Sequence, residues 1–271
     1  MFLGDLWYTF VMSENKMIES NTEQRKMGGE LKQKAEFSIE KAKRVILNNI
    51  PDEEIISIYV KGSYAQGELQ PDSDVDVVVI LKTEEYLPKV YTLDTNTSNP
   101  TEIPFAIVAY TLKELQTGEK AVNRPKISSP VSVFVKQLDF LPLIYGEKPE
   151  GNLFTRTDKK DLTAHPSAFH STFLPDYVVG KFSIQELVKQ ALWLADREQR
   201  LLGNVQGYSW QALSDSVKDK DHIIHTTLRL RRQAKISTLE KADFVQKLET
   251  YLSFLESNYN QTNFKQGLTL F

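Results

Sequence analysis

Asp74 and Asp76 stand at the mouth of an apolar run, Val77–Leu81, in the stretch KGSYAQGELQPDSDVDVVVIL of residues 61–81. Residues two apart on an extended strand project to one face, so the two carboxylates lie together while Val75 and Val77 point the other way, into packing. A carboxylate set into a core strand needs a partner or a metal ion. Hard cations such as Mg²⁺ take oxygen ligands and bridge to phosphates. Upstream, Gly62 and Ser63 directly follow another apolar run and its closing lysine, IISIYVK at 55–61. Glycine lets a ligand approach the backbone, successive N–H groups there can form an anion nest, and the Ser63 hydroxyl adds a donor. Strand, Gly-Ser turn, short crossover and a strand with two carboxylates would set phosphate donors beside a divalent-cation site. The chemistry implied is metal-assisted transfer at phosphorus.

Those residues need a scaffold, and the surrounding pattern supplies one. Ala35, Ile39, Ala42, Val45 and Ile46 recur at helical spacing, predicting a helix over roughly 31–49 that Pro51 stops. The β-branched runs at 55–60 and 75–81 read as strands, and IPFAIVAY at 103–110 as a third, with Pro104 suiting an edge or a strand start. SYAQGEL reads as a short helix or tight loop, QPDS as a turn, and 92–102 as a mobile polar loop. TLKELQTG predicts a short capped helix, 129–140 a helix opening on Pro130, and 141–148 a last short strand. From Ser183 onward the pattern is helical. Ile184, Leu187, Val188, Ala191, Leu192 and Ala195 form one stripe, Ser183 and Glu186 a capping box, and Gly203 a stop. Further helices are expected across 209–235 and 238–260. The fold class expected is α+β: a small mixed β-sheet domain with flanking helices, then an all-α helical bundle. The expected division is an N-terminal extension over 1–30, expected to be poorly ordered, a sheet domain over 31–150 and a helical domain over 151–271.

Bulk composition bounds the function. The chain has 271 residues, 41% hydrophobic and 25% charged, with a formal net charge of −3. That balance is of a globular domain pair without a dominant basic stripe, so no nucleic-acid partner is expected. The basic cluster at 229–235 reads as the polar face of a helix. The absence of cysteine removes disulfides, thiolate metal sites and a cysteine nucleophile, and fits a reducing compartment such as the cytoplasm. No apolar run has the length of a membrane span, so no membrane partner is expected.

The stretch GSYAQGELQPDSDVDVVV resembles the signature of the DNA-polymerase-β-like nucleotidyltransferase superfamily: Gly-Ser after a strand, about ten residues, then Asp-x-Asp flanked by apolar residues. The matching positions are Gly62, Ser63, Asp74 and Asp76, with Ser73 before the first Asp and Gly67 at a small position in the crossover. The chain is also similar to the spectinomycin/streptomycin adenylyltransferases, which place a Glu ahead of a strand and follow it with a helical half. The resemblance implies Asp74 and Asp76 as ligands of one or two Mg²⁺ ions, and Gly62, Ser63 and Ser73 as nucleotide-binding residues. It implies Glu102 as a third acid that ligates metal or takes the acceptor's proton. The reaction implied is transfer of AMP from ATP to a hydroxyl of a small molecule, an aminoglycoside-type antibiotic leading, with release of pyrophosphate. Rival readings are a protein-modifying, antitoxin-like transferase, a second-messenger synthase, and an inactive nucleotide-binding module.

Other chemistry-bearing residues read more plainly. His222 and His225, three apart on a helix, suit a hydrogen-bonded pair better than a metal site. Trp193, Tyr208 and Trp210 read as core. Asp196 and Glu198 are expected on a solvated helical face, with a cationic acceptor as the sharper alternative.

Overall fold

The computed structural model describes residues 29–70, 73–93, 102–121, 130–154, 166–205, 207–233 and 235–259. The expected extension over 1–30 lies outside them except for residues 29 and 30, and so does the expected polar loop except for 92, 93 and 102. The described residues form two compact units.

The first unit is built on the two valine- and isoleucine-rich runs. β1 (Ile55–Lys61) and β2 (Val75–Leu81) pair antiparallel, with Ile58 opposite Val79, Val60 opposite Val77 and Lys61 opposite Asp76. β3 (Phe105–Thr111) and β4 (Leu143–Gly146) complete a mixed four-stranded sheet in the order β3-β2-β1-β4. β1 and β2 are therefore the central strands, which explains why they are apolar on both faces. Every residue of β2 is fully buried except Asp76. β3 is an edge strand, in keeping with Pro104 just ahead of it.

A first helix, α1, spans residues 29–49 and ends before Pro51. Its buried stripe is Ala35, Ile39, Ala42 and Ile46, four of the five residues the spacing predicts; Val45 is half-buried, and Ser38 is buried among them. Between β1 and β2 the chain makes one short helix, α2 (Gly62–Gln66), closed by Gly67 at φ +72°. Five residues of helix and a turn suffice because the two strands run antiparallel and need no long crossover.

The second unit carries helices. After α3 (Leu87–Val90), which belongs with the sheet, α4 (Leu112–Thr117) opens on a full Thr111–Glu114 capping box and closes on Gly118 at φ +76°. α5 (Val131–Gln137) has Pro130 at its N-cap, one position outside the helix rather than at its first residue. Beyond α6 (Leu174–Val178) comes α7 (Ile184–Leu201), with the expected Ser183–Glu186 capping box. α8 (Trp210–Ser216), α9 (Ile223–Arg231) and α10 (Thr238–Tyr259) follow. Leu187, Leu192, Leu213, Ile224, Phe244, Leu248 and Leu252 form their common core, which Val133 of α5 joins. Lys136 of α5 donates to the terminal carbonyls of α7, Arg200 O at 3.0 Å and Leu201 O at 3.1 Å, and so caps that helix. The fold class is α+β, a sheet domain followed by C-terminal helices. Among the described residues no helix is long and apolar enough to cross a membrane.

Candidate active site

Lys61 closes β1 in extended geometry, and Gly62 turns the chain at φ +72°, a conformation L side chains rarely adopt. Space makes the same demand. A Cβ on Gly62 would overlap the Asp76 carboxylate, 3.0 Å from its Cγ and 3.3 Å from its Cβ. The Lys61–Asp76 register accounts for this: Gly62 follows the residue opposite Asp76, so its bare backbone lies against that carboxylate. Gly62 is buried, Ser63 and Asp76 are half-buried, and Asp74 is exposed at the strand's mouth. The strand-turn-strand juxtaposition expected from the motif is present for Gly62 and Asp76.

Ser73 has local work. Its Oγ accepts the Gln70 N–H at 2.9 Å and its own N–H donates to Gln70 O at 2.9 Å, so it closes the turn that precedes the Asp pair. Gly67 performs the helix stop, with nothing within 4 Å of where its Cβ would be.

The first residue of β2 meets the residue just ahead of β3, where the Val75 N–H donates to Pro104 O at 2.8 Å. Glu102 stands two residues before that carbonyl. One partner is Lys41 of α1, with Nζ donating to Oε2 at 2.5 Å, and the Glu102 side chain is 16% exposed. One turn away on α1, the buried Ser38 hydroxyl donates to Ile103 O at 2.7 Å. α1 also reaches α2, where Tyr64 donates to Glu36 at 3.4 Å; burial pushes the Tyr64 phenol up, and the Glu36 carboxylate adds to it. No motif pointed to Lys41. The signal available was its spacing from Ser38, which puts both on one face of a helix.

Among the described residues, no three His, Asp or Glu side chains converge closely enough to hold a metal ion. Asp74 and Asp76 are the two carboxylates at the start of β2, and Glu102 is bonded to Lys41. A pair still fits Mg²⁺, which commonly takes one or two carboxylates and completes its shell with water and substrate phosphates.

Two charged centres of the second unit differ from expectation. Asp196 and Glu198 are each 2% exposed, so neither lies on a solvated face. The last turns of α7 bury Asp196, Glu198, Gln199 and Arg200 together, and burial forces each charge to find an internal partner. The Arg200 Nε donates to both Asp196 oxygens, at 2.8 and 3.0 Å, yet burial still pushes the Asp196 carboxyl up. Glu198 accepts from Tyr251 at 2.5 Å and from His222 Nε2 at 3.2 Å. Burial works to raise its carboxyl, but the His222 and Tyr251 hydrogen bonds outweigh that and hold it below the usual range. His222 Nδ1 accepts the Ile224 N–H at 3.2 Å and caps α9, which leaves Nε2–H to face Glu198. His225 bonds Ser214 and the Asp219 carbonyl, so the two histidines are hydrogen-bonded rather than metal-like. Tyr208 and Trp210 are core, and Trp193 packs edge-on to Trp210 at 4.8 Å.

Comparison with known proteins bears on the domain and the fold. Residues 39–150 match the family model of the nucleotidyltransferase domain. The chain is similar in fold to spectinomycin adenyltransferase AAD(9) from Enterococcus faecialis, solved with ATP and spectinomycin. The TM-score is 0.52 at 13% identity, covering 80% of this chain and 98% of that one. No curated protein sequence matches the chain.

Proposed function

From the premise of a DNA-polymerase-β-like nucleotidyltransferase domain in a chain resembling the aminoglycoside adenylyltransferases, we propose that this protein transfers AMP from ATP to a hydroxyl of a small molecule, releasing pyrophosphate. An aminoglycoside-type antibiotic, spectinomycin among them, is the leading acceptor. The observation that carries the reading is the backbone of Gly62 laid against the Asp76 carboxylate, with Asp74 exposed two residues earlier, just ahead of β2. In this reading residues 31–150 are the nucleotidyltransferase domain and 151–271 the helical domain, although residues 110–141 of the former belong to the second compact unit.

The roles follow from the side chains. Asp74 and Asp76 would hold Mg²⁺, which would supply charge neutralisation on the triphosphate. The Gly62 backbone, with no side chain in the way, and the Ser63 hydroxyl donate to phosphate oxygens. Ser73 keeps the turn that presents Asp74, and through it the nucleotide site. Glu102 accepts the proton of the attacking hydroxyl as that oxygen bonds to the α-phosphorus and the bond to pyrophosphate breaks. Much of the acceleration comes from positioning and preorganised charge.

The test is pyrophosphate release with ATP and Mg²⁺ against spectinomycin, streptomycin, other aminoglycosides and lincosamides, beside the Asp74→Ala/Asp76→Ala double variant. Release with one acceptor, absent in the variant, is expected. Release from ATP alone would indicate a messenger synthase, and silence with intact Mg²⁺-dependent ATP binding would remove the antibiotic acceptor.

A further inference from the structure

α1 touches the candidate site through one face. Ser38 and Lys41 are three residues apart, and both reach the segment that leads into β3. The Ser38 hydroxyl fixes the Ile103 carbonyl at 2.7 Å, and the Lys41 ammonium takes Glu102 Oε2 at 2.5 Å. The Lys41 and Glu102 side chains are 34% and 16% exposed, so this is not a pair waving in solvent. Exposed pairs of two long side chains are weak because each must be ordered to meet the other. Here the backbone at 103 is already pinned by a buried bond, and the shorter charge-assisted bond beside it has less to order.

Glu102 also stands outside any three-carboxylate metal set among the described residues. As held, its carboxylate is directed by Lys41. Glutamate has three rotatable side-chain bonds, and a base must stay within hydrogen-bond reach of the proton it takes. The Lys41 ammonium takes one of its two oxygens from the neighbouring helix and so limits those rotations.

We propose that Lys41 is a positioning residue for the transfer reaction: by engaging Oε2 from α1, it sets where the Glu102 carboxylate stands for the acceptor's proton. The inference rests on the reading of Glu102 given above and adds a residue that the motif does not contain. Lys41 does not touch the nucleotide in this assignment, so its removal acts on turnover and not on nucleotide affinity.

The experiment compares wild type, Lys41→Met, Lys41→Arg, Glu102→Gln and the Lys41→Met/Glu102→Gln double variant. Pyrophosphate release is measured with the acceptor found active, and Mg·ATP affinity by calorimetry without acceptor. A misplaced base costs on the order of 10²-fold at most, so Lys41→Met is expected to lower kcat by roughly 10- to 100-fold while the Kd for Mg·ATP moves less than about twofold. Lys41→Arg, which keeps the charge and the donors, is expected to recover most of the rate. The double variant is expected to be no slower than Glu102→Gln alone, because a positioning residue has nothing left to position. Thermal melting of each variant establishes that it is folded; if Lys41→Met is not, the comparison is made with Lys41→Gln.

Wild-type kcat in Lys41→Met, additive losses in the double variant, or a Kd for Mg·ATP raised as much as kcat falls would each overturn the assignment. If Glu102→Gln is slow and Lys41→Met is not, only the role of Lys41 is lost. If wild type releases no pyrophosphate with any acceptor, or Glu102→Gln is as fast as wild type, the underlying reading of the reaction or of Glu102 fails, and this inference falls with it.

Discussion

Replacing Gly62 with alanine separates two costs that usually arrive together. The first is backbone strain: at φ +72° an L side chain costs roughly 1–2 kcal/mol. Gly67 has the same φ of +72° and open space where its Cβ would sit, so Gly67→Ala carries the strain without the collision. The second cost is particular to Gly62. Its new methyl would overlap the Asp76 carboxylate, and the aspartate's own Cβ is only 3.3 Å away, so rotating the carboxylate relieves part of the clash but moves the group off its place. Overpacking of this kind costs about 1–3 kcal/mol at the upper end, and a side chain that can swing brings it toward the lower. For a chain of this size the excess loss of Gly62→Ala over Gly67→Ala is then roughly 2–6 °C in melting temperature. The effect on function should be far larger, since a carboxylate displaced by about 1 Å can cost 10²-fold in rate. The assay is thermal melting and pyrophosphate release on both variants, with calorimetric Mg·ATP binding as the activity-free readout. Gly62→Ala should lose about two orders of magnitude in turnover and bind Mg·ATP more weakly, and Gly67→Ala should stay within about threefold of wild type. Equal turnover and equal Mg·ATP affinity in the two variants would refute the claim that Gly62 is there to admit Asp76.

Asp74→Asn, at an exposed strand mouth, should leave stability within about 0.5 kcal/mol while abolishing Mg²⁺-dependent ATP binding, read by melting and calorimetry. Tyr251→Phe removes a 2.5 Å donor from the buried Glu198 carboxylate and should cost about 1.5–3 kcal/mol in urea unfolding; under 0.5 kcal/mol would mean the remaining donors suffice. Arg200→Met should cost about 3–5 kcal/mol by stranding Asp196, whereas Asp196→Leu with Arg200→Met should recover most of it, since the Arg200 Nη1 and Nη2 are buried without hydrogen-bond partners. Glu240 is held down to about 2 by the Ser237 N–H, Arg229 and the Ser237 hydroxyl. Its folded value is depressed, so the stability it lends is full above its ordinary value of 4.5 and is lost as pH falls through about 2. Glu240→Gln should therefore flatten the melting-temperature profile across that window, and the Glu240 side-chain carbonyl should titrate near the lower value in an NMR pH series.

What the sequence made legible divides by the range of the forces involved. β2 could be bounded to the residue because a run of β-branched side chains bracketed by a turn and a lysine has one plausible register, and a one-residue slip would turn Asp76 into the core. The Ser183–Glu186 and Thr111–Glu114 caps were equally local, since each is closed by residues three apart. Gly62 was readable as a turn and an anion nest. That its missing side chain makes room for Asp76 was not, because that contact depends on the Lys61–Asp76 pairing. Glu102 shows the same limit from the other side. Its place ahead of β3 was visible, but its partner comes from 61 positions upstream, and a lysine on an amphipathic helix gives no sign of which strand that helix will cover. Asp196 and Glu198 were expected on a solvated face because the apolar stripe of α7 predicted one. Tyr251 of α10 and His222 at the N-cap of α9 closed over Glu198, while Gln137 from the end of α5 and Arg200 of α7 itself took Asp196, so both carboxylates became internal. For Gly62, Glu102 and Glu198 the missing information is a long-range contact with a polar group. Such pairings carry no periodicity, whereas apolar burial does, and they are therefore where residues without a motif, such as Lys41, enter the site.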